Sequence, residues 1–73
     1  MRKPDPNVQF GRRIRELRLE RGFSQEEFAD RIHLDRTYVS GIERGRRNPT
    51  LRTLQQFATG LGISLSKLLE GVR

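Results

Sequence analysis

No cysteine and no tryptophan occur in these 73 residues. Without cysteine there is no disulfide and no thiolate metal site, and His, Asp and Glu do not occur at the spacing of a structural zinc, so apolar packing alone must hold a small core together. Long apolar stretches are also missing. No run of large apolar residues exceeds two, which excludes a membrane span and the apolar centre of a secretion signal, and makes a cytoplasmic protein the expectation. The equipment of catalysis is lacking as well: there is one histidine, no nucleophile beside a base, no paired carboxylates and no glycine-rich phosphate loop. An enzyme, a cofactor, a metal and a small-molecule ligand are therefore not expected.

Acids are scarce relative to bases, nine against fifteen for a formal charge of +6, and lysine is scarce among the bases, thirteen of the fifteen being arginine. The planar guanidinium fork suits phosphate and guanine edges better than an ammonium does, so the expected partner is a polyanion. Position sharpens this. Between Arg36 and Arg52 there are five arginines, Arg36, Arg44, Arg46, Arg47 and Arg52, and one acid, Glu43. The arginines near the N-terminus are interleaved with Glu16 and Glu20, and Arg12 and Arg13 read as a solvated face.

No segment alternates apolar and polar residues with a period of two, and the helical period recurs five times, which predicts an all-α domain over residues 7–73. Residues 1–6, with Pro4 and Pro6 and nothing apolar to anchor them, read as a flexible basic arm. Asn7 is the expected cap of a first helix whose inward stripe is Phe10, Ile14 and Leu17, with Leu19 off the stripe and Gly22 as the stop. Ser24-Gln25-Glu26-Glu27 is a capping box opening a second helix with Phe28, Ala29 and Ile32 inward. His33 stands where the chain must turn through a left-handed residue, and histidine is among the side chains tolerated there. Asp35 caps a third helix, which ends at Gly45. Asn48 or Thr50 caps a fourth, carrying Leu51, Leu54, Phe57, Ala58 and Leu61. Ser64 caps a short fifth with Leu65, Leu68 and Leu69.

The third helix is the informative one. Val39 and Ile42 face inward, and at ~100° per residue the opposite face carries Thr37, Ser40, Gly41 and Arg44, with Arg36 beside them. A capped helix, a tight turn and a second helix with a polar, arginine-bearing outer face together form a helix-turn-helix, whose second helix fits the DNA major groove. Arg36 and Thr37, at the N-terminal end, are where such a helix meets base edges. Gln25, at the positive end of the second helix, and Arg44 are candidate phosphate contacts. Arg46 and Arg47 extend the basic surface along the backbone, with one of them in reach of a base.

Gly22-x-Ser24-Gln25-Glu26-x-x-Ala29, Ile42-Glu43-x-Gly45, Asn48-Pro49-Thr50 and Leu61-Gly62-Ile63-Ser64 together resemble the Cro and phage-repressor type, or XRE family, of helix-turn-helix DNA-binding domains. The likeness runs from about Phe10 to Gly71. Within the family, Leu34 to Arg44 looks most like the recognition segment of restriction-modification controller proteins. The resemblance implies a compact five-helix, lambda-repressor-like fold. It also implies base or groove contacts at Arg36, Thr37 and Tyr38, a further arginine contact at Arg47, a phosphate role for Gln25 and an internal ion pair between Arg18 and Glu43. The outer face and the loop themselves add Ser40 to the base readers and Arg44 and Arg46 to the phosphate contacts. His33 departs from the glycine usual at the turn.

One helix reads too few base pairs to find one operator in a genome, so a protein of this kind is expected to bind double-stranded DNA as a homodimer on a palindromic site. Leu65 and Leu69 are apolar groups placed for the dimer surface; the same residues equally serve to finish a small core. A transcriptional regulator, activator or repressor, is the expected function. A phage-type repressor, or an antitoxin-like or adaptor protein whose main partner is another protein, is the competing one.

Overall fold

The computed structural model describes residues 4–73. Five helices follow in order: α1 (Pro6–Glu20), α2 (Gln25–Ile32), α3 (Arg36–Glu43), α4 (Leu51–Leu61) and α5 (Leu65–Leu68), and the described residues contain no strand. The cap of α1 is Asp5 and not the expected Asn7: the Asp5 carboxylate accepts the Asn7 amide at 2.8 Å, and Pro6 takes the first helical position. Proline is suited to that place, because its fixed φ is already helical and its missing N–H would have had no acceptor. Arg2 and Lys3, the basic residues of the expected arm, lie outside the described residues.

The inward stripes of the first three helices are as the periodicity predicts. Phe10, Ile14 and Leu17 of α1, Phe28, Ala29 and Ile32 of α2, and Val39 and Ile42 of α3 form one core with Phe57, Ala58 and Leu61 of α4 and Leu68 of α5. At its centre Phe57 stacks on Phe28 at 5.8 Å and takes the edge of Phe10 at 5.9 Å. Phe57 is fully buried, so truncation to alanine would cost about 3 to 5 kcal/mol in a domain of this kind. On α4 the stripe is rotated from expectation. Leu51 is 70% exposed and Thr53 is buried in its stead, while Leu54, half-buried, packs against the core and Phe57, Ala58 and Leu61 lie within it as expected. The polarity of Thr53 is met by the capping residue, its hydroxyl pairing with that of Thr50 at 3.0 Å.

Two glycines let the helices cross closely. A Cβ at Gly11 would run into the Ile42 and Glu43 carbonyl oxygens, and one at Gly60 into Ile32, so α1 passes against the end of α3 with backbone on backbone. The small Ala29 is in the core as expected.

Four arginines stitch the helices together through backbone carbonyls. Arg13 donates to Lys67 O at 2.9 Å, Arg21 to Leu61 O at 3.0 Å, Arg31 to Gly60 O at 2.8 Å, and Arg18 to Phe23 O at 2.8 Å. The first three meet the C-terminal ends of α5 and α4, where unpaired carbonyls and the negative pole of the helix favour a cation. Arg13 therefore closes the fold and is not part of a merely solvated face.

Helices α1 to α4 end alike, the chain turning left-handed and the next amide reaching back to a carbonyl five residues earlier. His33 makes the turn after α2, with φ 60° and ψ 39°. The residue after the turn is Phe23, Leu34 or Ile63 in three cases, each packed against the core, whereas after α3 it is the exposed Arg46.

Candidate nucleic-acid interface

Helices α2 and α3 are each fixed at their N-terminal end by a cap. Ser24 Oγ accepts the Glu27 amide at 3.0 Å, and the Glu27 carboxylate accepts the Ser24 amide at 2.9 Å. Those bonds hold the Glu27 pKa below its ordinary value, the backbone bond from Ser24 being the largest cause. Asp35 likewise accepts the Thr37 amide at 2.7 Å, and this bond lowers the Asp35 pKa. A carboxylate at each cap also answers the positive pole of its helix.

Beneath α3 the ion pair expected between Arg18 and Glu43 is formed. Arg18 Nε donates to Glu43 Oε2 at 2.6 Å and Nη2 to Oε1 at 2.9 Å, with the side chains 7% and 4% exposed. Hydrogen bonding to Glu43 raises the Arg18 pKa, with burial opposing it. Gln25 joins this pair, its Nε2 donating to Glu43 Oε1 at 3.1 Å. Its side chain is thus partly committed inward, which leaves the Gln25 backbone amide, in the first turn of α2 without an intrahelical acceptor, as its freer donor. The first residue of α2 and the last of α3 are thereby tied to α1 by one buried network, and no buried side-chain polar atom among the described residues lacks a partner.

The outer face of α3 is as polar as its spacing predicts. Arg36, Thr37, Arg44, Arg46 and Arg47 are exposed, Tyr38 and Ser40 are half-buried, and Val39 and Ile42 are fully inward. None of Arg36, Arg44, Arg46 and Arg47 donates a side-chain hydrogen bond to a described residue, in contrast to Arg13, Arg18, Arg21 and Arg31. The fold thus divides its arginines into those consumed by carbonyls and carboxylate and those left with all donors available. One expected outward residue is covered. Gly41 is buried under the side chain of Arg47, whose guanidinium stands over the Tyr38 ring at 5.7 Å. Glycine inside a helix costs about 1 kcal/mol relative to alanine.

Helices α1 and α2 pack on α3, while α5 packs on α4. Leu65 and Leu69 are half-buried against the core. A helix with an uncommitted, hydroxyl- and arginine-bearing face, carried at a fixed angle to the capped helix before it, is a major-groove reader in form.

The profile of the helix-turn-helix family matches residues 14–68. This chain belongs to that family. Among its relatives, control protein C.MunI from Mycoplasma sp is 46% identical over 69 residues, covering 93% of either chain. Control protein C.BamHI from Bacillus amyloliquefaciens is 40% identical over 62 residues, 84% of this chain and 76% of that one. The crystal structure of the restriction-modification controller protein C.AhdI from Aeromonas hydrophila superposes with a TM-score of 0.82 at 48% identity, covering 85% of this chain and 94% of that chain. The expected resemblance to controller proteins and the five-helix fold are borne out, and this helix-turn-helix protein is a DNA-binding regulator in family and fold.

Two features of this site escape sequence reasoning. The link from Gln25 to Glu43 joins residues 18 apart through a buried oxygen, and only an approach of helices can create it. The cover of Gly41 by Arg47 had one sequence signal, a glycine in the middle of an otherwise regular helix.

Proposed function

We propose that this protein is a sequence-specific transcriptional regulator of the restriction-modification controller kind, acting in the cytoplasm as a two-fold homodimer on a palindromic operator. The observation that carries this is the cluster of Arg36, Arg44, Arg46 and Arg47 on and after α3, which keep their side-chain hydrogen-bond donors, whereas Arg13, Arg18, Arg21 and Arg31 are consumed by the fold and Arg12 and Arg15 stand exposed on α1. Similarity over nearly the whole length of C.MunI supports the controller role.

In this reading Arg36, Thr37, Tyr38, Ser40 and Arg47 contact bases, and Gln25, Arg44 and Arg46 hold phosphates. Leu65 and Leu69 join two copies so that their α3 helices enter major grooves about 34 Å apart. Regulation needs occupancy only: the bound dimer blocks polymerase or recruits it, with no cofactor and no catalytic step.

The test is selection from a random duplex library followed by titration at two salt concentrations. The expected result is an inverted repeat with one-turn spacing. Its affinity should fall by about a thousandfold or more between 50 and 200 mM salt, given six or more phosphate contacts. Recovery of no symmetric site, together with tight, salt-insensitive binding to a protein partner, would instead assign the fold to an adaptor or antitoxin-like role.

A further inference from the structure

Gly41 points away from the Val39 and Ile42 stripe, yet it is buried. What covers it is Arg47. The three heavy atoms nearest to where a Cβ would stand are Arg47 Cγ at 2.9 Å, Nε at 3.3 Å and Cδ at 3.7 Å. The arginine stem therefore lies along bare helix backbone, in space that any side chain at position 41 would claim. Tyr38, one turn earlier on the same face, receives the guanidinium at 5.7 Å from its ring centroid, within cation–π range. The loop that brings Arg47 back is itself clamped, the Arg46 amide donating to Gly41 O at 2.9 Å and the Gly45 amide to Ile42 O at 3.0 Å. Arg47 makes no hydrogen bond with its side chain to any described residue, so the seat orders the guanidinium without using its donors.

We propose that Gly41 positions Arg47: by lacking a side chain it lets the Arg47 stem lie in a groove on α3 against Tyr38, so that the guanidinium is held ready for DNA before DNA arrives. Gly41 then sets sequence discrimination without touching a base. A free arginine has to lose its rotamer freedom on binding, and a seated one has already lost much of it. This explains a glycine inside a recognition helix, where helix propensity alone would select alanine. The inference rests on Arg47 being a base reader.

The experiment compares Gly41→Ala, Arg47→Ala and the double variant with the unaltered protein. Each is scored for affinity to the selected operator and to operators substituted one base at a time, with thermal melts alongside. Gly41→Ala should lose about three- to tenfold in preference for the operator over its substituted forms without a lower melting temperature. In the Arg47→Ala background it should change nothing further. Side-chain NMR of the free, unaltered protein supplies a readout independent of any variant: Arg47 should show ring-current shifts from Tyr38 and a restrained Nε–H, both lost in Gly41→Ala. Several results overturn the proposal. One is an unaltered Arg47 signal or unaltered discrimination in Gly41→Ala. Another is an equal loss with and without Arg47, which would mean that DNA itself needs the space. If Arg47→Ala leaves discrimination intact, the assignment of Arg47 as a reader falls, and the seat with it. A mobile Arg47 in the free protein removes the seat alone.

Discussion

The Arg18 guanidinium and the Glu43 carboxylate face each other through two hydrogen bonds, Nε to Oε2 at 2.6 Å and Nη2 to Oε1 at 2.9 Å, out of reach of water beneath α3. The pair spans α1 and the end of the recognition helix, and Gln25 shares its carboxylate. Removing one partner leaves the other charge buried, and Arg18→Met should cost about 3 to 5 kcal/mol in urea unfolding. That is a large share of the stability of any small domain. The double variant Arg18→Met, Glu43→Leu should regain most of the loss, since a buried pair is often replaceable by apolar residues. A double variant no more stable than the single one would show that the polar partners left behind, the Phe23 carbonyl without Arg18 and Gln25 without Glu43, outweigh the unpaired charge.

Acid should weaken the fold through its helix caps. Glu27 and Asp35 have lowered pKa values in the folded state because each accepts backbone amides. The native state thus binds fewer protons than the unfolded state near those values. Their stabilisation is complete above the unfolded pKa values, about 4, and is lost as pH falls through the lower folded ones. Asp35→Asn keeps a capping oxygen but has no proton to gain. Its melting temperature should lie below that of the unaltered protein near neutrality, where the charged cap contributes, and decline less steeply below pH 4, so that the two converge in acid. Parallel acid limbs for the two proteins would remove Asp35 from this account.

Arginines on and after α3 should separate into two kinds by their effect on DNA binding. Arg36→Ala is expected to lose about 1 to 3 kcal/mol at the preferred operator and to relax preference at one base step. Arg46→Ala should weaken all sequences alike and flatten the salt dependence by about one unit. Titrations against a panel of single-base operator variants at several salt concentrations distinguish the two. A change of sequence preference in Arg46→Ala would make it a reader and not a clamp.

At the other end of the molecule, Leu65 and Leu69 are half-buried whereas Leu68 between them is fully buried. Leu65→Glu should leave the helical content intact while shifting sedimentation from dimer to monomer and abolishing cooperative occupancy of the two half-sites. Leu68→Ala should destabilise the fold by about 2 to 5 kcal/mol and change dimerisation only as far as it unfolds the chain. A Leu65→Glu protein that stays dimeric would place the interface elsewhere.

What the sequence by itself determined is what short-range chemistry controls. Helix starts at Ser24, Asp35, Thr50 and Ser64, the left-handed His33 and the stripes of α1 to α3 follow from capping side chains, turn residues and period, each acting within a few positions along the chain. The polar face of α3 was legible for the same reason. Other features were decided only when the helices packed. They are the rotation of α4 that exposes Leu51 and buries Thr53, the use of Arg13, Arg21 and Arg31 on carbonyls 29 to 54 residues away, the sharing of Glu43 by Arg18 and Gln25, and the cover of Gly41 by Arg47. A charge count cannot tell an arginine that closes a helix end from one that waits for DNA, because the two are chemically identical. The tertiary fold decides by where it brings unpaired carbonyls.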